Sequence, residues 1–458
     1  MAAASFPCGR RTTHLMSAET IAQTEAASMR ALAREIFLDT LREISIPKIF
    51  ASKIECSRGV LRVEQDLYDL SSYTRVVVVA AGKAAHTMLD SLIAQTGPRV
   101  EGIVVCSHLP HSQQLGFRYF VGGHPLPNAE SVRAAKAILK LLSGVDEHTL
   151  VIYLISGGAS ALVEVPRYEE ISLADLIETY RVLVHSSAAI AEINTVRKHL
   201  SAIKGGRLAQ AASQAMQVSI MVSDVPENAL DALASGPTMP DSSTTADCYR
   251  IAEKHGLTSQ FPESVRRIFV ERRLEETPKA DDPAFVTSRF WPILSSSSVA
   301  KTAAALLAER GFALEIDNAP DDWPCDKAAD YLLKRLRELR RGASRVAVVS
   351  AGEITLKVPP NAGVGGRNQH FALDCAQEMA GENICVLSAG TDGIDGDSSA
   401  AGAVADGTTL ERARKAGMNP ETELKNFNAF SVFHRIGDVI VTGPTGNNAR
   451  DLRLLLAW

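Results

Sequence analysis

Nearly unbroken apolar runs that stop at glycine or a small polar residue constrain this chain most. "VVVVAA" ends at Gly82-Lys83, "LVIYLI" at Ser156-Gly157-Gly158, "VSIMV" at Ser223-Asp224, "VAVV" leads to Gly352-Glu353, and "ICVL" leads to Gly390-Thr391-Asp392. A strand with one wet face alternates polar and apolar residues; these runs do not. They read as strands buried on both faces, the mark of a mainly parallel sheet between helices. Segments of helical period lie between them: one from Ser28 through Leu32, Ile36, Leu41 and Ile44, and others over 129–142, 298–310 and 326–341. "EITLKV" at 353–358 alternates and reads as a further strand. The fold class is α/β.

With 458 residues, 46% of them hydrophobic, the chain can fill two or three cores. Residues 1–28 read as a disordered extension, 29–265 as a first α/β domain and 285–458 as a second, divided by the irregular stretch around "ETPKADDP". The two halves leave a cleft between them. A net charge of −5 gives no basic excess for nucleic acid. No apolar run reaches membrane-spanning length. The seven Cys are scattered without a C-x-x-C pair, which argues against zinc or a disulfide framework and suits a reducing cytoplasm.

Ligands of open α/β sheets bind outside the carboxyl ends of strands, and glycine there admits them to the backbone. Ser156-Gly157-Gly158 reads as an anion cradle or as a plain tight turn. Familiar motifs are absent. The Gly82-Lys83 turn fails the P-loop pattern, no turn carries G-x-G-x-x-G, and Ser160 lacks the second glycine of a nucleophile elbow. Charges remain. Lys83 is an anion ligand or a surface lysine; Asp224 is a helix cap, a general base or a metal ligand; Arg367 beside Asn368 suits phosphate or carboxylate. Asp392, Asp395 and Asp397 cluster without EF-hand spacing, as Mg²⁺ ligands or as turn residues. Arg197, Lys198, His199, Lys204 and Arg207 read mostly as a solvated helix face. Together these features fit phosphoryl transfer, which depends on positioning and charge neutralisation.

"GGHPLPNAES", "LISGGASAL", "INTVRKHLSAIKGGRLA", "ASGPTMPD", "GGRNQ", "SAGTDGIDG" and "VTGPTGNN" occur in this order, and from about residue 30 onward the chain resembles the class II glycerate 2-kinases that carry a MOFRL domain. The resemblance implies two α/β domains, the first Rossmann-like and the second containing the MOFRL domain at about 345–455, with the active site in the cleft. It implies transfer of phosphate from ATP, with Mg²⁺ or another divalent cation, to the 2-hydroxyl of D-glycerate. Lys83, Asp224 and Arg367 take the catalytic positions. Ser156, Gly157, Gly158, Ser160, Arg197 and Lys198 are expected at the substrate. Gly365, Gly366, Asn368, Gly390 and Thr391 are expected at the nucleotide, and Glu353, Asp392 and Asp395 at the metal. The resemblance leaves room for a homodimer and implies neither nucleic acid nor membrane as a partner. The family pattern is broken at Pro226-Glu227, at His370, at Asp397-Ser398-Ser399 and at Asn428-Ala429. A hydroxypyruvate reductase using NAD(P)H and an inactive ligand-binding paralogue are the alternatives.

Overall fold

The computed structural model describes residues 18–458, so residues 1–17 of the expected extension lie outside it. The rest of that stretch is helical: Ala18–Glu43 forms one helix, which begins before Ser28. A small antiparallel meander follows, β1 (Ile54–Ser57), β2 (Val60–Val63) and β3 (Asp66–Asp69).

The first large sheet contains β4 (Arg75–Ala81), β5 (Glu101–Cys106), β6 (Phe117–Val121), β7 (Thr149–Ser156), β8 (Met216–Val222) and β9 (Ser288–Leu294). Their order is β6-β5-β4-β7-β8-β9 and every pair is parallel. Successive residues of β4 enter different cores, Val78 and Ala80 one, Val79 and Ala81 the other. The runs are unbroken because helices cover both faces. From β4 the chain winds outward to β6, then returns to β7 and winds the other way. This reversal leaves a crevice above the carboxyl ends of β4 and β7, where Lys83 and the Ser156-Gly157-Gly158 turn sit.

The second sheet contains β10 (Ala313–Ile316), β11 (Val346–Ala351), β12 (Ile384–Gly390), β13 (Gly402–Asp406), β14 (Val439–Ile440) and β15 (Asp451–Ala457), in the order β10-β11-β15-β12-β13-β14. It is mixed rather than mainly parallel. Only β10 and β11 are parallel; β15 runs antiparallel to both β11 and β12. The amino end of β15 therefore lies among the carboxyl ends of its neighbours. The alternating stretch 353–358 is not a strand: it finds no edge to pair with, and only Thr355 bridges, to Pro324.

The sheets also divide the chain differently from the expected 265–285 boundary. β9 is the last strand of the first sheet. The helix Ala18–Glu43 packs on β12, β13, β15 and the helix Ser296–Glu309. Arg34 fixes it there through Asp438, and Arg30 through Asp406. One continuous apolar core joins a face of each sheet through these helices.

Candidate active site

The turns after β4 and β7 are tied together. The Lys83 N–H donates to Gly157 O (2.9 Å), and the Ala84 N–H donates to Ser156 Oγ (3.0 Å). Ser156 is buried and its hydroxyl serves this tie. The glycines that follow make room for side chains. A Cβ on Gly157 would collide with the Asp224 carboxylate, and one on Gly158 would lie 3.2 Å from both Lys83 Cγ and His124 Cδ2. Gly158 also has φ +86°, which suits glycine. Lys83, Asp224 and His124 thus gather around one pair of glycines. The helix after them, Ala159–Leu162, is a single turn, so the double glycine is chiefly a space-maker for these three side chains.

Lys83 is exposed and forms no ion pair among the described residues. Asp224 is half-buried, and burial raises its pKa against the opposing charges of Lys83 and Arg450. Burial and the Lys83 charge both lower the pKa of His124, which favours the neutral imidazole. His124 was not singled out from the sequence; the signal available was its place directly after the Gly122-Gly123 pair that follows β6.

On the facing wall Arg367 is the first residue of the helix Arg367–Glu378. Its Nε and Nη2 reach the two oxygens of Asp451 (2.6 and 3.2 Å), and Nη2 lies 2.9 Å from Glu353. Asp451 is 1% exposed and was also missed from the sequence. Arg450, at φ +70°, pairs with Asp321 at 2.5 Å. Asp392 is half-buried; burial raises its pKa and Asp451 adds to this, while Arg367 and Lys83 oppose it. Lys83 therefore acts on carboxylates of both walls. Asn448 crosses between them, its Nδ2 3.4 Å from Asp224 Oδ2. The cleft here has a volume of about 210 Å³, with Lys83, Ser156 and Gly157 on one side and Asp392, Asn447 and Asn448 on the other. From Asp392 a groove of about 560 Å³ continues past Glu353, Arg367, Gly365 and Gly366.

Known proteins share this architecture. A domain of unknown function (DUF4147) matches residues 32–270, and the MOFRL family matches 346–451. The D-glycerate 2-kinase of Thermotoga maritima is 35% identical over 421 residues, 90% of this chain and 98% of that protein. The crystal structure of a glycerate kinase from that organism aligns with TM-score 0.83 and 32% identity, covering 94% of this chain and 100% of the other. The chain belongs to the MOFRL glycerate kinase family. The glycerate 2-kinase of Pyrococcus horikoshii is 36% identical over 387 residues, 82% of this chain and 86% of that protein. A relative from Agrobacterium vitis bears a provisional hydroxypyruvate reductase name.

Within this glycerate kinase family member the expected residues separate into those at the cleft and those that build it. Lys83, Gly157, Gly158, Asp224, Glu353, Gly365, Gly366, Arg367 and Asp392 surround the cleft and its groove. Others serve the fold. The Asp395 carboxylate accepts the N–H groups of Asn368 and Gln369 (3.0 and 2.9 Å) and both of their side-chain amides. It caps the helix Arg367–Glu378, so its oxygens are occupied and the expected metal role is not supported. Burial raises its pKa to about 6. Asn368 is buried, donating to Asp395 and accepting from Ser388 Oγ at 2.6 Å, so it does not face the groove. Thr391 Oγ1 donates to Arg450 O (2.7 Å) and accepts the Ala449 N–H (2.9 Å), holding the loop before β15. Gly390 passes close beneath Asp392 and Asp451, whose Oδ1 atoms lie 3.0 and 3.5 Å from where its Cβ would be.

Ser160 Oγ pairs with Ser235 Oγ at 3.0 Å. Arg197 covers the Tyr180 ring at 4.7 Å, and Lys198 is buried between Asp231 (2.7 Å) and Asp241 (3.1 Å). Neither Arg197 nor Lys198 lines the cleft. The solvated-face reading also fails, since His199, Lys204 and Arg207 are buried as well. Residues that depart from the family pattern brace the Gly-rich loop. Asp397 accepts the Gly365 N–H (3.0 Å), Asn428 Oδ1 accepts the Val364 N–H (3.0 Å), and Ser398 Oγ accepts from Gln369 Nε2 (2.7 Å).

Among the described residues no three His, Cys, Asp or Glu side chains converge on a metal site. Mg²⁺ in phosphoryl transfer needs only one or two carboxylates beside the phosphates. Asp392 fits that need, because only its Oδ1 is engaged, by the Ile394 N–H at 3.0 Å.

Proposed function

We propose that this chain transfers the terminal phosphate of ATP to the 2-hydroxyl of D-glycerate, giving 2-phosphoglycerate and ADP. The observation that carries this reading is the meeting of unlike charges across one cleft: a lysine with no ion pair among the described residues and a carboxylate of raised pKa face an arginine held by two carboxylates. Asp224 takes the hydroxyl proton as the oxygen attacks. A raised pKa makes it a stronger base than an ordinary carboxylate, while the Lys83 charge keeps it ionised. Lys83 and Arg367 neutralise the charge that spreads over the transferring phosphoryl group. The ion pairs of Arg367 set its direction before the donor arrives, so little reorganisation is needed. The substrate carboxylate lies against the Gly157-Gly158 backbone beside neutral His124. Asp392 would hold a Mg²⁺ ion, which supplies further neutralisation of the phosphates when bound. No helix of the described residues is long and apolar enough to cross a membrane. The cysteines of the described residues are free, which suits a reducing compartment, and on that ground we assign the reaction to the cytoplasm.

A reductase reading draws on the Agrobacterium vitis name and on the strand order of the first sheet, which dinucleotide-binding sheets also use. Against it, the turn after β4, where a pyrophosphate would sit, carries a single glycine in place of G-x-G-x-x-G. Incubation with D-glycerate, ATP and Mg²⁺, followed by ³¹P NMR, should show ADP and 2-phosphoglycerate growing together. NADH loss with hydroxypyruvate, without ADP release in the first assay, would overturn the kinase reading.

A further inference from the structure

The groove beside Arg367 does not end at the glycines. Past Leu356, Val358, Gly365, Gly366 and Gly396, which line both, it opens into a second cavity of about 340 Å³. The chemistry changes along the way. Arg367, Glu353 and Asp392 stand at one end; Pro359, Pro360, Ala362, His370 and Phe427 stand at the other. His370 follows Arg367 by three residues on the same helix, so both project from one side of it. The imidazole stacks on the Phe427 ring, with centroids 5.0 Å apart and planes 20° from parallel. Phe427 has φ +55°, a conformation that a bulky side chain keeps only where its surroundings hold it, and one that collects at ligand sites.

We propose that this cavity receives the nucleobase of the phosphate donor, with His370 supplying the polar edge that meets the base and Phe427 backing the imidazole. The donor's identity rests on the kinase reading; the cavity's preference for a base does not. A nucleoside triphosphate is an extended ligand, anionic at one end and flat and weakly polar at the other. The groove carries the same polarity in the same order. The cavity volume falls within the range of small-molecule sites, about 300–1,000 Å³. Among the described residues His370 Nδ1 is buried without a hydrogen-bond partner, so no neighbour there fixes this nitrogen. Burial keeps the imidazole neutral, leaving one ring nitrogen as donor and the other as acceptor, which suits a base edge better than a phosphate. Asp397 also lines the cavity, and its Oδ1 accepts the Gly365 N–H.

The test is calorimetric titration of the whole chain, in Mg²⁺, with ADP, CDP and inorganic tripolyphosphate. Wild type should bind ADP; CDP reports whether the cavity distinguishes a purine from a pyrimidine, and a Kd for either nucleotide tighter than that of tripolyphosphate supports a base site. His370→Ala and Ala362→Trp should each weaken ADP at least about tenfold, the loss of one good contact, and leave tripolyphosphate within about twofold. His370→Gln, which keeps a donor and an acceptor, should recover most of the ADP affinity. Thermal melts identify any variant that fails to fold, and the remaining variant then decides. Folded His370→Ala and Ala362→Trp proteins that bind ADP like wild type would overturn the proposal. So would a parallel loss of ADP and tripolyphosphate, or wild type that does not bind ADP. Nucleotide binding without glycerate phosphorylation would instead remove the kinase reading and leave the cavity assignment standing.

Discussion

On the first-sheet wall of the cleft Lys83 is exposed and unpaired, whereas on the facing wall Arg367 is held by Asp451 and Glu353. The difference follows from how the two sheets are strung. In the first, all strands are parallel and the winding reverses between β4 and β7. Turns with glycines meet there, and among the described residues Lys83 has no counter-ion in contact. In the second, β15 runs antiparallel between β11 and β12, which brings Arg450 and Asp451 among the carboxyl ends of its neighbours. One wall thus keeps charges available to a ligand; the other braces them in advance.

Substitution on the open wall should give the largest effects. Lys83→Ala and Asp224→Asn should each lower turnover by roughly 10²–10⁴-fold, the scale of losing a preorganised charge or a general base, with thermal melts unchanged. A lower melting temperature in either variant would show that the open wall is also structural. The pH profile sharpens the same point. Asp224 must be ionised to act and burial raises its pKa, so activity should fall, as pH is lowered, at a higher pH than an ordinary carboxylate near 3.9 would give. Lys83 holds that pKa down, so the acid limb of residual activity in Lys83→Ala should move higher still. A limb that does not move would separate the two residues.

Arg367→Ala, on the braced wall, should lose at least roughly 10²-fold in turnover and also melt lower. It leaves buried Asp451 without its partner, a loss of about 1–3 kcal/mol once the partial exposure of the guanidinium is allowed for. A melt identical to wild type would mean that the bracing contributes nothing to stability.

Lys198→Ala should act on stability alone. Removing this buried ammonium strands Asp241, at a cost of about 3–5 kcal/mol, while the KM for glycerate of the folded protein stays the same. The smallest effect belongs to Asp395→Asn, about 1 kcal/mol for a weakened helix cap, with no change in the Mg²⁺ concentration that half-saturates turnover. Its pKa is raised from 3.8 to about 6, so the folded state takes up a proton in that window that the unfolded chain does not. Wild-type stability should therefore gain an extra decline as pH rises through the window, and the variant should lack it. A shifted Mg²⁺ requirement with an unchanged melt would make Asp395 a ligand after all.

What could be read in advance followed locality. Val76–Ala81 and the other apolar runs declare buried strands by themselves, and their ends place Lys83 and Asp224. Asp451 was hidden because its importance comes from β15 entering between strands far away in the chain. Lys198 looked like any helix lysine because Asp231 and Asp241 lie 33 and 43 residues onward. The aspartates of "TDGIDGD" are neighbours in sequence, yet Asp392 faces the cleft while Asp395 turns inward to cap a helix. The helix Ala18–Glu43 could be recognised in part by its period, but its docking on the second sheet depends on Asp406 and Asp438.

The central claim is that an open wall and a braced wall build one site around one transferring group. A double-mutant cycle on turnover, with Lys83→Ala, Arg367→Ala and the pair, tests it most directly. Groups acting together on the same transition state are not additive, so the double variant should be little slower than the slower single one. Losses that multiply in full would show two independent roles and contradict the single site.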